Sequence, residues 1–318
     1  MPTPACLPVL ATRPCMWLRR DPGVTFHSGF ACLLGRPNTG KSTLTNALVG
    51  AKVAITSDRP QTTRHAVRGI VHRPDAQLIV VDTPGLHKPR TLLGERLNDV
   101  VRTTLAEVDV IVFCVPADEK VGPGDKFIAA ELSRIEKTPV IAVVTKTDAA
   151  ERGEVASQLL ALSRLGEWAE IVPVSAVAGE QVELLAELLI ARLPEGPPLY
   201  LDGELTDEPE MVMIAELIRE AALDGVREEL PHSLAVVVEE MKPREGKDLI
   251  DVFAVMYVER PSQKAIVIGS GGSRLREVGT RARMQAEALL GSRVYLDLRV
   301  KVAKDWQRDP AQLRKLGF

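Results

Sequence analysis

The chain has 318 residues, of which 45% are hydrophobic, so it can bury a substantial core and intrinsic disorder is excluded for the whole. Its net charge of −3 conceals an uneven distribution, because residues 260–318 carry 13 Lys and Arg against 5 Asp and Glu. This basic end indicates an anionic partner, although a merely solvated basic face would have the same composition.

Residues 1–27 are proline-rich and show no clear hydrophobic period, so we interpret them as a poorly ordered tail. Their apolar stretch precedes Arg19 and Arg20, which is the wrong order for a secretory signal. No apolar run is long enough to span a membrane. Cys32 and Cys114 lie in apolar runs and are expected to be buried thiols. These features favour a cytoplasmic protein.

Between residues 28 and 194, apolar runs alternate with amphipathic segments, which predicts an α/β fold with a mostly parallel sheet. The predicted strands are Phe30–Leu34, Ala66–His72 at an edge, Gln77–Asp82, Asp109–Val115, Pro139–Thr145 and Ile171–Val174. The predicted helices are Thr91–Ala106, Asp125–Glu136, Glu151–Leu165 and Gln181–Arg192. Ligands in such folds bind at the carboxyl ends of the strands.

A phosphate-binding motif follows the first predicted strand. The run Gly35-Arg36-Pro37-Asn38-Thr39-Gly40-Lys41-Ser42 matches G-x-x-x-x-G-K-S, and Thr43 continues into an apolar helical segment. Glycines let backbone N–H groups approach phosphates, and the N-terminus of the helix favours an anion. Lys41 can reach the β- and γ-phosphates, and Ser42 can hold Mg²⁺. Strand, motif and helix together predict a nucleoside-triphosphate site, which the motif alone would not.

A second motif, Asp82-Thr83-Pro84-Gly85, ends the strand that begins at Gln77. Asp82 can orient the Mg²⁺ shell, and the Gly85 amide can donate to the γ-phosphate and be released on hydrolysis. An ordinary turn could have this sequence, but its position after the P-loop favours a switch. Lys41, Asp82 and Gly85 are therefore the candidate catalytic residues.

Two further motifs indicate the base, namely Thr145-Lys146-Thr147-Asp148 and Ser175-Ala176. An aspartate can accept hydrogen bonds from N1–H and the 2-amino group of guanine. Adenine would leave a buried Asp148 unpaired, and such sites discriminate by about 10⁴–10⁵. The stem of Lys146 can lie along the base, and the Ala176 N–H can meet the guanine oxygen. A structural K-x-D turn is the alternative interpretation.

In this order the motifs resemble those of the translation-factor-related P-loop GTPases. The resemblance implies guanine-nucleotide binding, with one departure, because that family usually has Asn where Thr145 stands. Thr145 keeps a hydroxyl but lacks the amide donors, so we expect guanine selectivity from Asp148 and leave the affinity open. Leu86 stands where many signalling GTPases have a water-orienting Gln, so catalysis must depend on electrostatic stabilisation.

The polar segment 56–65 lies where a mobile switch loop is expected. Thr62 or Thr63 is predicted to complete the Mg²⁺ shell in the triphosphate state, and the sequence does not choose between them.

Residues 195–210 are acidic and proline-rich, which predicts a linker to a second domain at 211–318. In that domain a helix is predicted at Met211–Gly225, strands at Leu234–Glu240, Leu249–Val258 and Val294–Val302, and a final helix at Asp309–Leu316. Trp306 is interpreted as a packing anchor and not as a base-stacking platform.

The run Ile268-Gly269-Ser270-Gly271-Gly272 between apolar segments matches the I-G-x-x-G of a KH domain, an RNA-binding module. Such a loop clamps the backbone of a single strand, and the helix after it carries Arg274, Arg276, Arg281 and Arg283. A plain glycine turn is the alternative, which the basic charge disfavours. Ala265–Ile268 favours a strand by propensity, but the resemblance implies a short helix, which we adopt.

From Gly29 to Phe318 the chain resembles the Era family of bacterial GTPases, including the segments 61–65 and 313–318. The resemblance implies GTP, GDP and Mg²⁺ as ligands, a type II KH domain, and the 3′ end of 16S ribosomal RNA and the small ribosomal subunit as partners. It also implies a role in small-subunit maturation and peripheral association with the inner face of the cell membrane. We expect a monomer, and the tail has no counterpart in the family pattern.

Two alternatives remain. The first is an RNA-binding module whose nucleotide site is structural. The second is a peripheral membrane GTPase whose basic face contacts anionic lipid.

We expect hydrolysis to be slow in the isolated protein and faster in K⁺ than in Na⁺, because similar GTPases with Asn at the position of Asn38 use K⁺. Asn38 as a plain turn residue is the alternative. Steady-state hydrolysis in matched KCl and NaCl checks this, and equal rates in the two salts would contradict a role for the cation.

Overall fold

The computed structural model describes residues 25–224 and 233–318, apart from residues 58, 60, 61, 88 and 90. The tail up to residue 24, Gln61 of the switch segment and Gly225 at the predicted end of a helix lie outside the described residues. Within the described ranges, no helix combines the length and apolar character needed to cross a bilayer.

The first sheet has six strands in the order β2-β3-β1-β4-β5-β6. All neighbours are parallel except the edge strand β2, which is antiparallel to β3. Strands β3, β4 and β5 are buried along their whole lengths, as expected for near-continuous apolar runs in a parallel sheet. The strands are β1 (His27–Leu34), β2 (Val67–His72), β3 (Ala76–Asp82), β4 (Val110–Pro116), β5 (Val140–Thr145) and β6 (Glu170–Pro173).

Helices cover both faces of this sheet. One face packs against the first and fifth helices, and the other packs against the second, third and fourth. Their bounds are α1 (Lys41–Val49), α2 (Leu92–Glu107), α3 (Pro123–Leu132), α4 (Arg152–Ser163) and α5 (Val182–Ile190). The predicted α/β class is confirmed. Among the predicted helices of this domain, the observed ends differ most from the predicted ones at α3. This helix ends at Leu132 instead of Glu136, and the backbone hydrogen bonds that follow it form a turn. Cys32 and Cys114 are free buried thiols, and burial raises the pKa of each to about 12.

The second domain has the predicted order of helix, two strands, two helices and a strand. Its sheet is β7-β8-β9, with β7 antiparallel and β9 parallel to β8. Its elements are α6 (Glu210–Leu223), β7 (Ala235–Pro243), β8 (Ile250–Val258), α7 (Pro261–Ile268), α8 (Ser273–Leu290), β9 (Val294–Val302) and α9 (Pro310–Lys315).

The helix at residues 265–268 is confirmed against the strand propensity of Ile266, Val267 and Ile268. The helix begins at Pro261, whose fixed φ suits a first helical position. The Gln263 side-chain oxygen accepts hydrogen bonds from the N–H groups of Glu259 (2.9 Å) and Arg260 (3.0 Å). These start signals outweigh β propensity, which is weak and depends on context.

Segment 195–210 is held against the first domain. The buried side-chain oxygen of Gln77 accepts hydrogen bonds from the N–H groups of Leu199 (2.7 Å) and Tyr200 (2.9 Å). Further along, the Ile70 N–H of edge strand β2 donates to the Leu205 carbonyl at 2.9 Å. The segment therefore lies along β2 and β3 instead of spanning solvent between the domains.

An apolar cluster joins the two domains around Trp306, which is fully buried. Leu93 and Leu97 of α2 reach this cluster from the first domain, and Leu313 and Leu316 reach it from the second. The Trp306 Nε1–H donates to the Ser233 carbonyl at 3.0 Å. The interpretation of Trp306 as a packing anchor is confirmed.

Trp306→Ala is expected to lower the free energy of unfolding by about 3–5 kcal/mol, because it removes a fully buried ring and leaves a cavity between the domains. Urea unfolding followed by circular dichroism measures the change. Phe127→Ala is the control, since that ring is 47% exposed and its loss should cost at most about 1 kcal/mol. Equal losses in the two variants would show that the Trp306 cluster does not stabilise the fold.

Candidate functional site

The P-loop follows β1, and the atoms around its first glycine leave no room for a side chain at that position. A Cβ on Gly35 would lie 2.6 Å from the Cys114 carbonyl oxygen and 2.7 Å from Thr39 Oγ1. At the other end, Lys41 begins α1, so the N-terminus of that helix faces the loop. The loop backbone and the helix end together form the cradle for an anion that the sequence predicted.

Three oxygen-bearing side chains from different segments converge below the loop. Ser42 Oγ lies 2.5 Å from Asp82 Oδ2 and 2.9 Å from Thr63 Oγ1, and Thr63 Oγ1 lies 3.3 Å from the same carboxylate oxygen. The other carboxylate oxygen, Asp82 Oδ1, is buried and has no hydrogen-bond partner among the described residues. Hydroxyl and carboxylate oxygens with an unused acceptor suit a hard divalent cation such as Mg²⁺.

The position of Thr62 separates the two candidate threonines. Its hydroxyl donates to the Arg59 carbonyl at 2.6 Å, within the switch segment itself. Thr63 is therefore the threonine whose hydroxyl meets the proposed metal ligands in this conformation, which the sequence alone did not decide.

Lys41 and Asp82 are both buried beside this cluster. Burial lowers the pKa of Lys41, and Asp82 partly offsets the change. Burial also raises the pKa of Asp82, while Lys41, Ser42 and Thr63 oppose that rise. The Lys41 Nζ donates to the Arg36 carbonyl at 2.8 Å, so the ammonium already lies inside the loop. Phosphate oxygens and a cation would relieve both desolvation costs.

The base site forms at the ends of β5 and β6. Ser175 Oγ donates to Asp148 Oδ1 at 2.5 Å and accepts from the Ala178 N–H at 3.0 Å, which fixes the carboxylate. The Thr145 hydroxyl donates to the Thr39 carbonyl of the P-loop at 2.6 Å. Thr145 thus keeps the link between P-loop and base site without the amide of the usual Asn.

Several predicted nucleotide-site residues can contribute only backbone groups in this conformation. Arg36 points away, with its Nε donating to Asp125 at 2.7 Å, and the Thr83 hydroxyl donates to the Leu33 carbonyl at 2.7 Å. The Leu86 side chain is buried among α2 and α3, so it does not face a water near the P-loop. Gly85 lies close to the P-loop, because a Cβ there would be 2.5 Å from the Pro37 nitrogen.

The predicted RNA loop is a tight turn between α7 and α8. Gly269, Gly271 and Gly272 all have positive φ, at 74°, 57° and 76°. Apart from glycine, few residues other than Asn and Asp adopt positive φ. A Cβ on Gly269 would also lie 2.8 Å from the Arg274 Cβ. Ser270 and Gly271 at the tip of the loop are exposed, and the loop leads directly into the N-terminus of α8.

A cleft of about 400 Å³ begins at this loop and runs between α8 and β9. Leu275, Leu296 and Leu298 form its apolar floor, and Arg276 and Arg283 lie at its edge. Both arginines are exposed, so they are available to phosphates. The sequence predicted the arginines, whereas the floor residues of β9 were missed because the alternation in that strand did not indicate which face lines a cleft.

The other two predicted arginines contact α6. Arg274 Nη2 donates to the carbonyls of Ala222 (3.2 Å) and Asp224 (2.6 Å), and Arg281 pairs with the Asp224 carboxylate. In this conformation both side chains hold the loop against α6 instead of facing the cleft.

Sequence reasoning also missed two residues of α6 that contact the switch segment. Arg219 is 2% exposed and donates to the Thr62 carbonyl, and the Glu220 carboxylate accepts from the Thr56 N–H at 2.9 Å. The sequence contained a signal for this contact, because Arg219 lies beside Ile218 and near Ala222 on the apolar side of the helix. A charge in that position requires a buried partner.

Comparisons with known proteins agree with this geometry. The family model described as 50S ribosome-binding GTPase matches residues 30–146, and the KH domain model matches residues 229–307. GTPase Era of Streptomyces coelicolor is 70% identical over 308 residues, covering 94% of this chain and 97% of the relative. GTPase Era of a Nocardioides species is 67% identical over 306 residues, covering 93% and 98%.

Two solved structures are similar over nearly the whole chain. One is Era in complex with MgGDPNP and nucleotides 1506–1542 of 16S ribosomal RNA, with a TM-score of 0.87, 38% identity and coverage of 92% of this chain and 99% of that one. The other is a variant of Aquifex aeolicus Era bound to GDP and AlF4⁻, with a TM-score of 0.88, 38% identity and the same coverage. Motifs, architecture and relatives agree, and the chain belongs to the GTPase Era family.

Proposed function

We propose that this chain binds and hydrolyses GTP with Mg²⁺ and uses its nucleotide state to control binding of the 3′ region of 16S ribosomal RNA. It would act in small ribosomal subunit biogenesis. The observation that carries the proposal is the presence in one chain of the Ser42, Thr63 and Asp82 oxygen cluster and of the cleft beside the Gly269–Gly272 loop. The similar Era structure with MgGDPNP and 16S nucleotides supports both halves.

The chemistry of the proposed hydrolysis depends on charge and not on a side-chain base. Ser42, Thr63 and Asp82 would hold Mg²⁺, which when bound neutralises charge on the β- and γ-phosphate oxygens. Lys41 places an ammonium inside the loop, and the Gly85 N–H would donate to a γ-phosphate oxygen. Because the Leu86 side chain is buried in the core, that position orients no water. Slow hydrolysis by the isolated protein is expected.

Helix α6 is the proposed connection between nucleotide and RNA. At one point Arg219 and Glu220 bind the switch segment through Thr62 and Thr56. One turn later, the carbonyls of Ala222 and Asp224 bind Arg274, which follows the glycine loop. A change in the switch segment on hydrolysis would therefore act on a helix that also holds the RNA loop.

We assign the domains as 28–194 for the GTPase, 195–210 for the linker and 211–318 for the KH domain. The support is the packing, because the first sheet and its helices form two apolar clusters, and the α6–α8 and β7–β9 elements form another. Peripheral association with the inner face of the cell membrane stays a prediction from the family resemblance.

Asp148→Asn is expected to lower GTP affinity by at least about a hundredfold, because the amide nitrogen cannot accept a hydrogen bond and the side chain can no longer accept from both N1–H and the 2-amino group. The variant should gain affinity for xanthosine triphosphate, whose 2-oxo group can accept from the new amide. Competition titrations with GTP, xanthosine triphosphate and ATP measure this. An unchanged preference for GTP over ATP would show that Asp148 does not read the base.

RNA affinity is expected to differ by about tenfold between the GDP-bound protein and the protein with a non-hydrolysable GTP analogue. Filter binding with a single strand of the 16S 3′ sequence measures it in both states and without nucleotide. The same affinity in all three states would contradict the switch. RNA binding that is indifferent to Lys41→Ala would favour a constitutive RNA-binding module with a structural nucleotide site.

Gly272→Asp is the matched test of the RNA loop, and Gly246→Asp in the β7–β8 hairpin is its control. The two glycines have φ of 76° and 71°, and both have open space where a Cβ would be added. Each change adds one negative charge to the same domain, yet only Gly272→Asp should weaken RNA binding, by about tenfold. Equal losses of RNA binding, or equal losses on anionic vesicles with no RNA effect, would favour a membrane-facing basic surface.

A further inference from the structure

Neighbouring residues of the switch segment face two different domains. Thr63 points into the nucleotide site, where its hydroxyl lies 2.9 Å from Ser42 Oγ and 3.3 Å from Asp82 Oδ2. The next side chain, Arg64, enters the second domain and is 2% exposed, with its Nη1 donating to the Leu234 carbonyl at 2.7 Å. The backbone that positions Thr63 is therefore held from the opposite side by Arg64.

Arg64 and His65 contact an aromatic clamp, which we define as Trp306 and Phe318. The Arg64 guanidinium carbon lies 5.6 Å from the centre of the Trp306 ring and 5.9 Å from that of Phe318. The His65 ring stacks on Phe318 at 5.2 Å with an angle of 5° between the planes. Phe318 in turn stacks on Trp306 at 5.6 Å.

Phe318 also contacts the segment that follows the second motif. Its carbonyl oxygen accepts a hydrogen bond from Arg96 Nη1 at 2.5 Å, and Arg96 lies on α2, the helix after Asp82-Thr83-Pro84-Gly85. Phe318 therefore contacts both the switch segment and the helix that follows the second motif.

The clamp suits a buried cation. Arg64 carries a guanidinium, which stays charged in proteins, and its side chain is buried. A desolvated cation gains most from the faces of aromatic rings. Arg219 meanwhile donates to the Thr62 carbonyl, so the backbone is anchored to the second domain on both sides of Thr63.

We propose that Phe318 is a positioning residue for GTP hydrolysis, acting through Arg64 and His65 to hold Thr63 at the metal site. This inference rests on the proposed role of Thr63 as a Mg²⁺ ligand in the triphosphate state. It predicts a particular pattern, because switch threonines leave the metal when the γ-phosphate is absent. Loss of the clamp therefore raises the Mg²⁺ concentration that GTP hydrolysis requires and leaves GDP binding intact.

The test compares four full-length proteins, namely wild type, Phe318→Ala, Phe318→Tyr and Val252→Ala. The Mg²⁺ concentration for half-maximal GTP hydrolysis should rise about fivefold in Phe318→Ala, the size expected from loss of one cation–π and one stacking contact. GDP affinity should stay within about twofold of wild type in all four. Phe318→Tyr keeps the ring and should restore the wild-type Mg²⁺ requirement. Val252→Ala destabilises the separate core of the second domain, where Val252 is fully buried, and should leave the Mg²⁺ requirement unchanged.

A double-mutant cycle with Thr63→Val separates positioning from a general structural role. If the clamp acts through Thr63, Phe318→Ala has no further effect on the Mg²⁺ requirement in the Thr63→Val background. Additive effects, a wild-type Mg²⁺ requirement in Phe318→Ala, or a parallel loss of GDP affinity would each overturn the inference. Absence of GTP hydrolysis in the wild-type protein is a distinct result, because it would overturn the proposed function together with the clamp.

Discussion

The burial of Arg64 in the second domain is the interaction on which the position of the switch segment depends. A guanidinium that leaves water needs compensating contacts, and here the Leu234 carbonyl and the rings of Trp306 and Phe318 provide them. These partners come from the start of β7 and the end of the chain, so they are assembled only when the second domain is folded. The switch segment is therefore ordered by a domain that contains none of the nucleotide motifs.

The nucleotide site contains two charged side chains whose burial is unfavourable. Lys41 and Asp82 are both buried. Burial lowers the pKa of Lys41 and raises the pKa of Asp82, so it favours the neutral form of each side chain. Ser42 and Thr63 compensate only one of the two Asp82 oxygens. Without an anion and a cation, the charged groups of this cluster lack part of their partners. A ligand that supplies those partners can shift the surrounding segments from one conformation to another.

The same physical argument connects the two functional sites. Helix α6 is apolar on the face that packs in the second domain, yet it carries Arg219 and Glu220 where it meets the switch segment. Its final carbonyls hold Arg274, which precedes the exposed Arg276 of the cleft. Rigid helices transmit displacement along their axis better than loops do. Nucleotide and RNA would thus act on contacts that lie one turn apart, at the carboxyl-terminal end of one helix.

The amino-acid sequence alone determined the motifs, the α/β class and the order of elements in the second domain, and it indicated Asp148 as the candidate for reading guanine, because these depend on local residue types and their spacing. It did not distinguish Thr62 from Thr63, since adjacent hydroxyls differ only in the direction in which a folded loop points them. It assigned Arg274 and Arg281 to RNA by charge, whereas packing directs them to α6. It also did not reveal that Thr145 bonds the Thr39 carbonyl, or that Phe318 meets Arg64 and Arg96. These contacts join residues far apart in the chain. Folding of the first domain brings Thr145 to Thr39, whereas only the docking of the two domains brings Phe318 within stacking or hydrogen-bonding distance of Arg64 and Arg96.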